Sequence, residues 1–148
     1  MGVNSVTGEN YLKAAYAYLY IRDFERAAES FAKAIESSPD NPDYYFHASL
    51  TALRNDCPDL ALEWALSAFR LDPDNPLYRE HLAVVESSQL TKRGHEAVLE
   101  GAEEQAIRLF QEALDRDPLN DEARGCLKRL KRCKSHDTDD EMSEEAML

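Results

Sequence analysis

No stretch of this chain approaches the roughly 20 consecutive apolar residues that a membrane span needs, and the opening residues, MGVNSVTGENY, contain no apolar signal core. Met1-Gly2 falls short of an acylation signal, because Val6 stands where that motif needs Ser or Thr. Cysteine is scarce. Cys57, Cys126 and Cys133 are odd in number and form no C-x-x-C pair, which fits free thiols in a reducing compartment better than a disulfide framework. Basic residues are in the minority: 29 acidic against 17 basic side chains give a formal charge of −12, a surface that repels nucleic acid and anionic membrane. A soluble cytoplasmic protein is expected, with neither nucleic acid nor membrane as its main partner.

The signatures of catalysis are missing as well. There is no G-x-S-x-G, no phosphate-binding P-loop and no G-x-G-x-x-G. His47, His81, His95 and His136 are scattered, with no H-x3-H pair and no cysteine at ligand spacing, so no metal or cofactor is expected. Cys126 and Cys133, seven apart, share one helix face and read as half-buried thiols. Acid pairs such as Glu103-Glu104 and Asp139-Asp140 fall on solvent faces or in the tail. The chain is not expected to be an enzyme.

What is present is a period. "PDNPDYYFHA" begins at Pro39 and "PDNPLYREHL" at Pro73, 34 residues later. Ahead of Pro39 stand Ala27, Phe31 and Ala34, at i, i+4 and i+7 on one helix face. Ahead of Pro73 the same slots hold Ala61, Ala65 and Ala68, and ahead of Pro118 they hold Ala106, Phe110 and Ala113. The small residues let two helices approach, the aromatic fills the space between them, and the proline ends the unit because it cannot continue a helix. A second helix makes up the first half of each unit: Tyr11-x2-Ala14-Ala15-x2-Tyr18, Tyr45-x2-Ala48-Ser49-x2-Ala52 and Leu90-x2-Arg93-Gly94-x2-Ala97. Asn41-Pro42 and Asn75-Pro76 are helix starts, Asn capping free amides and Pro taking the first helical position.

Over about residues 8–120 this pattern resembles the tetratricopeptide repeat (TPR), a 34-residue helix–turn–helix with W-x2-L-G-x2-Y in its first helix and Ala, Phe and Pro in its second. The resemblance implies an all-α solenoid of three repeats. Arg93 replaces the apolar residue before Gly94, Ala65 replaces an aromatic with Trp64 beside it, and the turn Asp56-Cys57-Pro58 has no glycine.

The third unit is 11 residues too long. Eleven residues make almost three whole turns, so the insertion lengthens a helix without rotating its face. One long first helix from about Pro76 to Leu99 is expected, with Leu82, Val85 and Leu90 on its buried side; a break near Gly94 is the alternative, because interior glycine weakens a helix. Asn120 can cap a last helix through about Cys133, with an apolar stripe of Ala123, Cys126, Leu127 and Leu130. Repeat arrays need such a polar-backed cap. The expected division is a flexible arm over 1–7, a repeat domain over 8–133 (repeats about 8–41, 42–75 and 76–120, capping helix 120–133), and a disordered acidic tail over 134–148.

In the resembled family the first helices line a concave groove that commonly binds an extended peptide or a helix. Carried over by register, that groove holds Leu12, Tyr16, Leu19 and Tyr20 from the first unit. The second adds Phe46, Leu50, Leu53 and Arg54, and the long helix adds Leu77, Glu80, His81 and Val84. So apolar a lining marks either a binding surface or a face covered by the long helix or the N-terminal arm, which would make it core. The clamp with which some family members grip a C-terminal Glu-Glu-Val-Asp needs Lys, Asn and Arg. Its five slots here hold Leu12, Tyr16, His47, Leu77 and His81, so that ligand is not expected. A looser likeness, in size, acidity and apolar groove, is to class II chaperones of type III secretion.

The basic stripe Arg124, Lys128, Arg129, Lys131, Arg132 and Lys134 could meet phosphates or an acidic partner, or be screened by the acidic tail while favouring the helix dipole. The expected function is a non-catalytic protein–protein interaction module of adaptor or scaffold type that takes a protein, peptide or amphipathic helix in the groove. The alternatives are a chaperone for a hydrophobic client and a regulatory subunit of an enzyme. Self-association through the groove is compatible with the same residues.

Overall fold

The computed structural model describes residues 2–145, with side chains described for 7–136. Among the described residues there are seven helices and no strand: α1 (Gly2–Tyr20), α2 (Phe24–Ser37), α3 (Pro42–Arg54), α4 (Pro58–Leu71), α5 (Pro76–Leu99), α6 (Glu103–Arg116) and α7 (Asp121–Glu145). The fold is the all-α one expected. The chain divides into two compact units, Met1–Val85 and Glu86–Leu148, with α5 contributing to both.

The helix starts follow local chemistry. Asp23 accepts a hydrogen bond from the amide of Arg26 at 3.2 Å, Asn41 from Asp43 at 3.1 Å, Asn75 from Leu77 at 3.0 Å and Asn120 from Ala123 at 3.0 Å. Each occupies an otherwise unpaired donor of the first turn, and Pro42 and Pro76 open their helices where no N–H is needed. At the turns between the two helices of each repeat, Arg22, Asp56 and Gly101 stand at equivalent positions with φ of 61°, 59° and 76°. Only the third of these left-handed positions is a glycine, so the first two carry steric cost from their Cβ atoms.

Packing follows the repeat slots. Ala27, Phe31, Ala34, Ala61, Ala65, Ala68, Ala106, Phe110 and Ala113 are all at most 1% exposed. In the first unit Ala15, Phe31 and Ala48 make one apolar cluster, and Ala52, Ala61, Ala65 and Val85 a second, with Trp64 packed against both. The indole does lie beside the site from which Ala65 withholds an aromatic ring. In the second unit Leu90, Ala97, Phe110 and Ala123 form the middle of one cluster, against which Leu127 and Leu130 pack. The stripe expected for the capping helix is in contact there.

Helix α5 runs unbroken from Pro76 to Leu99, through Gly94. Val85 and Leu90 are buried and Leu82 half-buried, as the insertion length implied. A polar knot fixes its middle: Ser87 donates to the carbonyl of Ala113 at 2.7 Å, and the Asn120 amide donates to the hydroxyls of Ser87 and Thr91 at 2.8 and 2.9 Å.

Both ends of the chain are more helical than expected. Residues 2–7, expected as a flexible arm, are the first turns of α1, and α7 continues past Cys133 to Glu145 through most of the expected disordered tail. Residue 1 and residues 146–148 lie outside the described residues. The physical reason is propagation. Once a helix is nucleated each added residue gains one backbone bond, and no Pro or Gly interrupts the chain after Gly125. At the other end Gly8 is buried, and a Cβ there would stand 2.7 Å from the Tyr44 hydroxyl, so the Tyr44 side chain of α3 lies against α1.

Candidate partner-binding site

In the unit Met1–Val85 the first helices α1 and α3 and the start of α5 share a run of rings. Tyr16 meets Phe31 edge-on at 5.8 Å between centroids and His47 at 5.5 Å. Phe46 meets His47 at 5.5 Å, Tyr78 at 5.6 Å and His81 at 5.0 Å. Contacts of this geometry add about 0.5–1.5 kcal/mol each to plain apolar burial.

Polar groups thread the same run. The phenol of Tyr16 donates to Nδ1 of His47, while Nε2 of His47 lies 3.4 Å from the Asp43 carboxylate. A carboxylate only accepts, so Nε2 carries the proton and Nδ1 is free to accept. Asp43 also accepts from the Tyr78 hydroxyl at 3.5 Å. Burial pushes the Tyr16 phenol above its ordinary value, Arg54 opposes that and Asp43 adds to it. Burial likewise raises the Tyr78 phenol, with Asp43 and Asp72 adding to the effect.

His81 is held differently. Ser49 is fully buried and its hydroxyl donates to the Ala61 carbonyl at 2.6 Å, so its lone pairs face Nε2 of His81, 2.8 Å away, which donates. Burial lowers the His81 pKa, so the imidazole is neutral at pH 7.

The expected groove residues separate on this background. Tyr16, Phe46 and His81 belong to the ring run. Leu12 and Leu19 are half-buried against the Phe31 cluster and Leu53 against the Val85 cluster, while Leu50 is half-buried on α3. Tyr20 ends α1 at 91% exposure. Leu77 and Val84 on α5 are exposed, as is Glu80. Arg54 is not part of the run: it lines a cavity at the end of α3, on the side of α2 and α4. Sequence register missed His47 as a partner of Tyr16, and with it Asp43 and Tyr78. Asp43 and His47 are spaced i, i+4 on α3, the one signal that could have joined them.

In the unit Glu86–Leu148, His95, Phe110, Cys126, Arg129 and Cys133 line a cavity of 250 Å³. Arg129 donates to the Cys126 sulfur at 3.3 Å, and His95 pairs with Glu122 at 2.9 Å. All three cysteines are free thiols, and among the described residues no group of His, Cys, Asp and Glu could hold a metal ion. No described helix is long and apolar enough to cross a membrane.

Residues 12–76 match the family described as tetratricopeptide repeat. No protein of curated function matches the chain in sequence. Among solved structures, the Arabidopsis OM64 TPR domain matches at 20% identity and a TM-score of 0.51, over 87% of this chain and 98% of its own. The N-terminal domain of stress-induced protein-1 from C. elegans matches at 16% and 0.52, over 86% and 97%. The Sgt2 TPR domain from Aspergillus fumigatus matches at 14% and 0.51, over 88% and 81%. At these identities the likeness is one of fold. None of them carries the looser likeness to secretion chaperones.

Proposed function

We infer that this chain, a tetratricopeptide-repeat protein, is a non-catalytic protein-interaction module of adaptor or scaffold type that binds a peptide or amphipathic helix along the face of α1, α3 and the start of α5. One observation carries the reading: the run Tyr16–His47–Phe46–His81 crosses three helices with ring spacings of 5.0–5.5 Å. Such a run offers apolar faces and hydrogen-bonding edges together. Rigid aromatic groups of this kind are the usual anchors of interfaces, because they present much area at little entropic cost. Leu77 and Val84, seven apart on α5 and exposed, extend the apolar surface.

Selection of a random displayed peptide library on the purified chain tests this. The control is the Tyr16→Ala, Phe46→Ala, Leu50→Ser variant, first shown to be folded by circular dichroism. Enrichment of a shared apolar motif on wild type and not on the variant is the expected result. Equal enrichment on both, or none on either, would make these residues ordinary core.

A further inference from the structure

A cavity of the unit Met1–Val85 is lined by α2, α3 and α4 and shares Phe31 with the ring run. It has a volume of 680 Å³ and opens between the start of α2 and α4, above the end of α3. That is within the range of about 300–1,000 Å³ found for ligand sites, and more than one side chain fills. Small residues from two helices leave it open: Ala28 of α2, and Ala48 and Ala52 of α3. Phe24, Leu60 and Trp64 supply apolar walls, and Phe24 and Leu60 remain 49% and 39% exposed.

Charge narrows the occupant. Glu25 and Asp56 flank the opening, and Arg54 is the one base in the lining. Residues 1–85 carry 13 acids against 7 bases, so the surrounding field adds to the local excess. A large apolar space edged by net negative charge selects a ligand that is apolar on one side and cationic beside it.

We propose that this cavity takes the apolar side chains of a basic amphipathic helix from a protein partner. Two residues at i and i+4 on that helix fill the space between Phe24 and Trp64, and flanking Lys or Arg residues pair with Glu25 and Asp56. This is recognition of a helix by a groove, with anchors set by helical period. It does not rest on the aromatic face, and it gives one unit a second surface for a second partner.

Trp64 is the sole tryptophan of the chain and lines the cavity, so its fluorescence reports occupancy directly. The probe is a tryptophan-free helical peptide of Leu, Ala and Lys with Leu at i, i+3, i+4 and i+7. A saturable shift of Trp64 emission to shorter wavelength is expected. Ala28→Leu, an exposed helix position, fills the opening and weakens binding about tenfold or more, the equivalent of one excluded apolar anchor. The Glu25→Gln, Asp56→Asn pair weakens binding several-fold and reduces its salt dependence, while Phe46→Ala leaves the Trp64 response unchanged. The proposal is overturned by any one of four results: no emission change, wild-type affinity in Ala28→Leu, a Leu/Ala/Glu peptide binding as tightly as the Lys peptide, or saturation by a neutral apolar dye where neither peptide acts.

Discussion

Gly94 has no side chain where the ring of Phe110 lies: a Cβ built there would stand 2.6 Å from one ring carbon and 2.8 Å from the next. The glycine, interior to α5 and unfavourable for a helix by about 1 kcal/mol, is the condition for α6 to approach that closely. Phe110 fills the gap completely, with no exposed surface, and meets His95 edge-on at 5.5 Å. Phe110→Ala is therefore expected to cost about 3–5 kcal/mol, as emptied aromatic core sites do. Gly94→Ala should cost about 1–3 kcal/mol by overpacking. Urea denaturation of both variants checks this, and the Gly94→Ala, Phe110→Leu double variant should recover part of the glycine penalty.

The left-handed turns give a prediction of the opposite sign. Arg22 at φ 61° bears a steric cost of about 1–2 kcal/mol that glycine escapes, offset by the glycine's extra chain entropy. Arg22→Gly should stabilise the protein by about 0.5–1 kcal/mol, read as a higher denaturation midpoint. Asp56→Gly at φ 59° should gain less, because Asp tolerates this region.

Ser49 is fully buried and serves both the Ala61 carbonyl and His81. Ser49→Ala leaves a buried donor and acceptor without their partner, and should cost about 1–3 kcal/mol. Ser49→Gly should cost no less, even though glycine is the residue the repeat pattern has at that slot.

The His81 imidazole sets a pH dependence. Its pKa is lowered in the fold by burial, so the unfolded chain takes up that proton first. Stability from this group is complete above the ordinary value of 6.5 and falls as pH drops below it, until the folded pKa is reached. His81→Gln keeps an N–H donor of matching reach but cannot titrate. Thermal melts from pH 7.5 to 5 should therefore show a shallower loss for this variant than for wild type, and parallel curves would remove His81 as the cause.

Much of the fold is legible in sequence because it is set by single-chain patterns. The alanine and phenylalanine slots, the Asn-Pro starts and the 11-residue insertion are each decided by helical period or by local capping, and the buried residues fall on them. The left-handed turn at Arg22 is not legible, since an arginine gives no signal for positive φ. The helical ends are not legible either, because a polar segment lacking Pro and Gly is ambiguous between extending a helix and leaving it. The groove register names Tyr16, Phe46 and His81, which stand in one ring run, and Arg54, which lines the cavity at the end of α3 while acting electrostatically on Tyr16. The cavity depends on Ala28, Ala48 and Ala52 meeting across two helices, a coincidence of small residues that no one-dimensional pattern marks.

The most direct test of binding on the face of α1, α3 and α5 is chemical-shift mapping of the isotope-labelled chain with a library-selected peptide. Shifts should concentrate at Tyr16, Phe46, His47, Leu50 and His81. Phe46→Ala, with its fold verified, should weaken the peptide by about 2 kcal/mol or more, roughly 30-fold in Kd. Shifts confined to α6 and α7, or to the cavity beside Trp64, together with an unchanged Kd in Phe46→Ala, would contradict it.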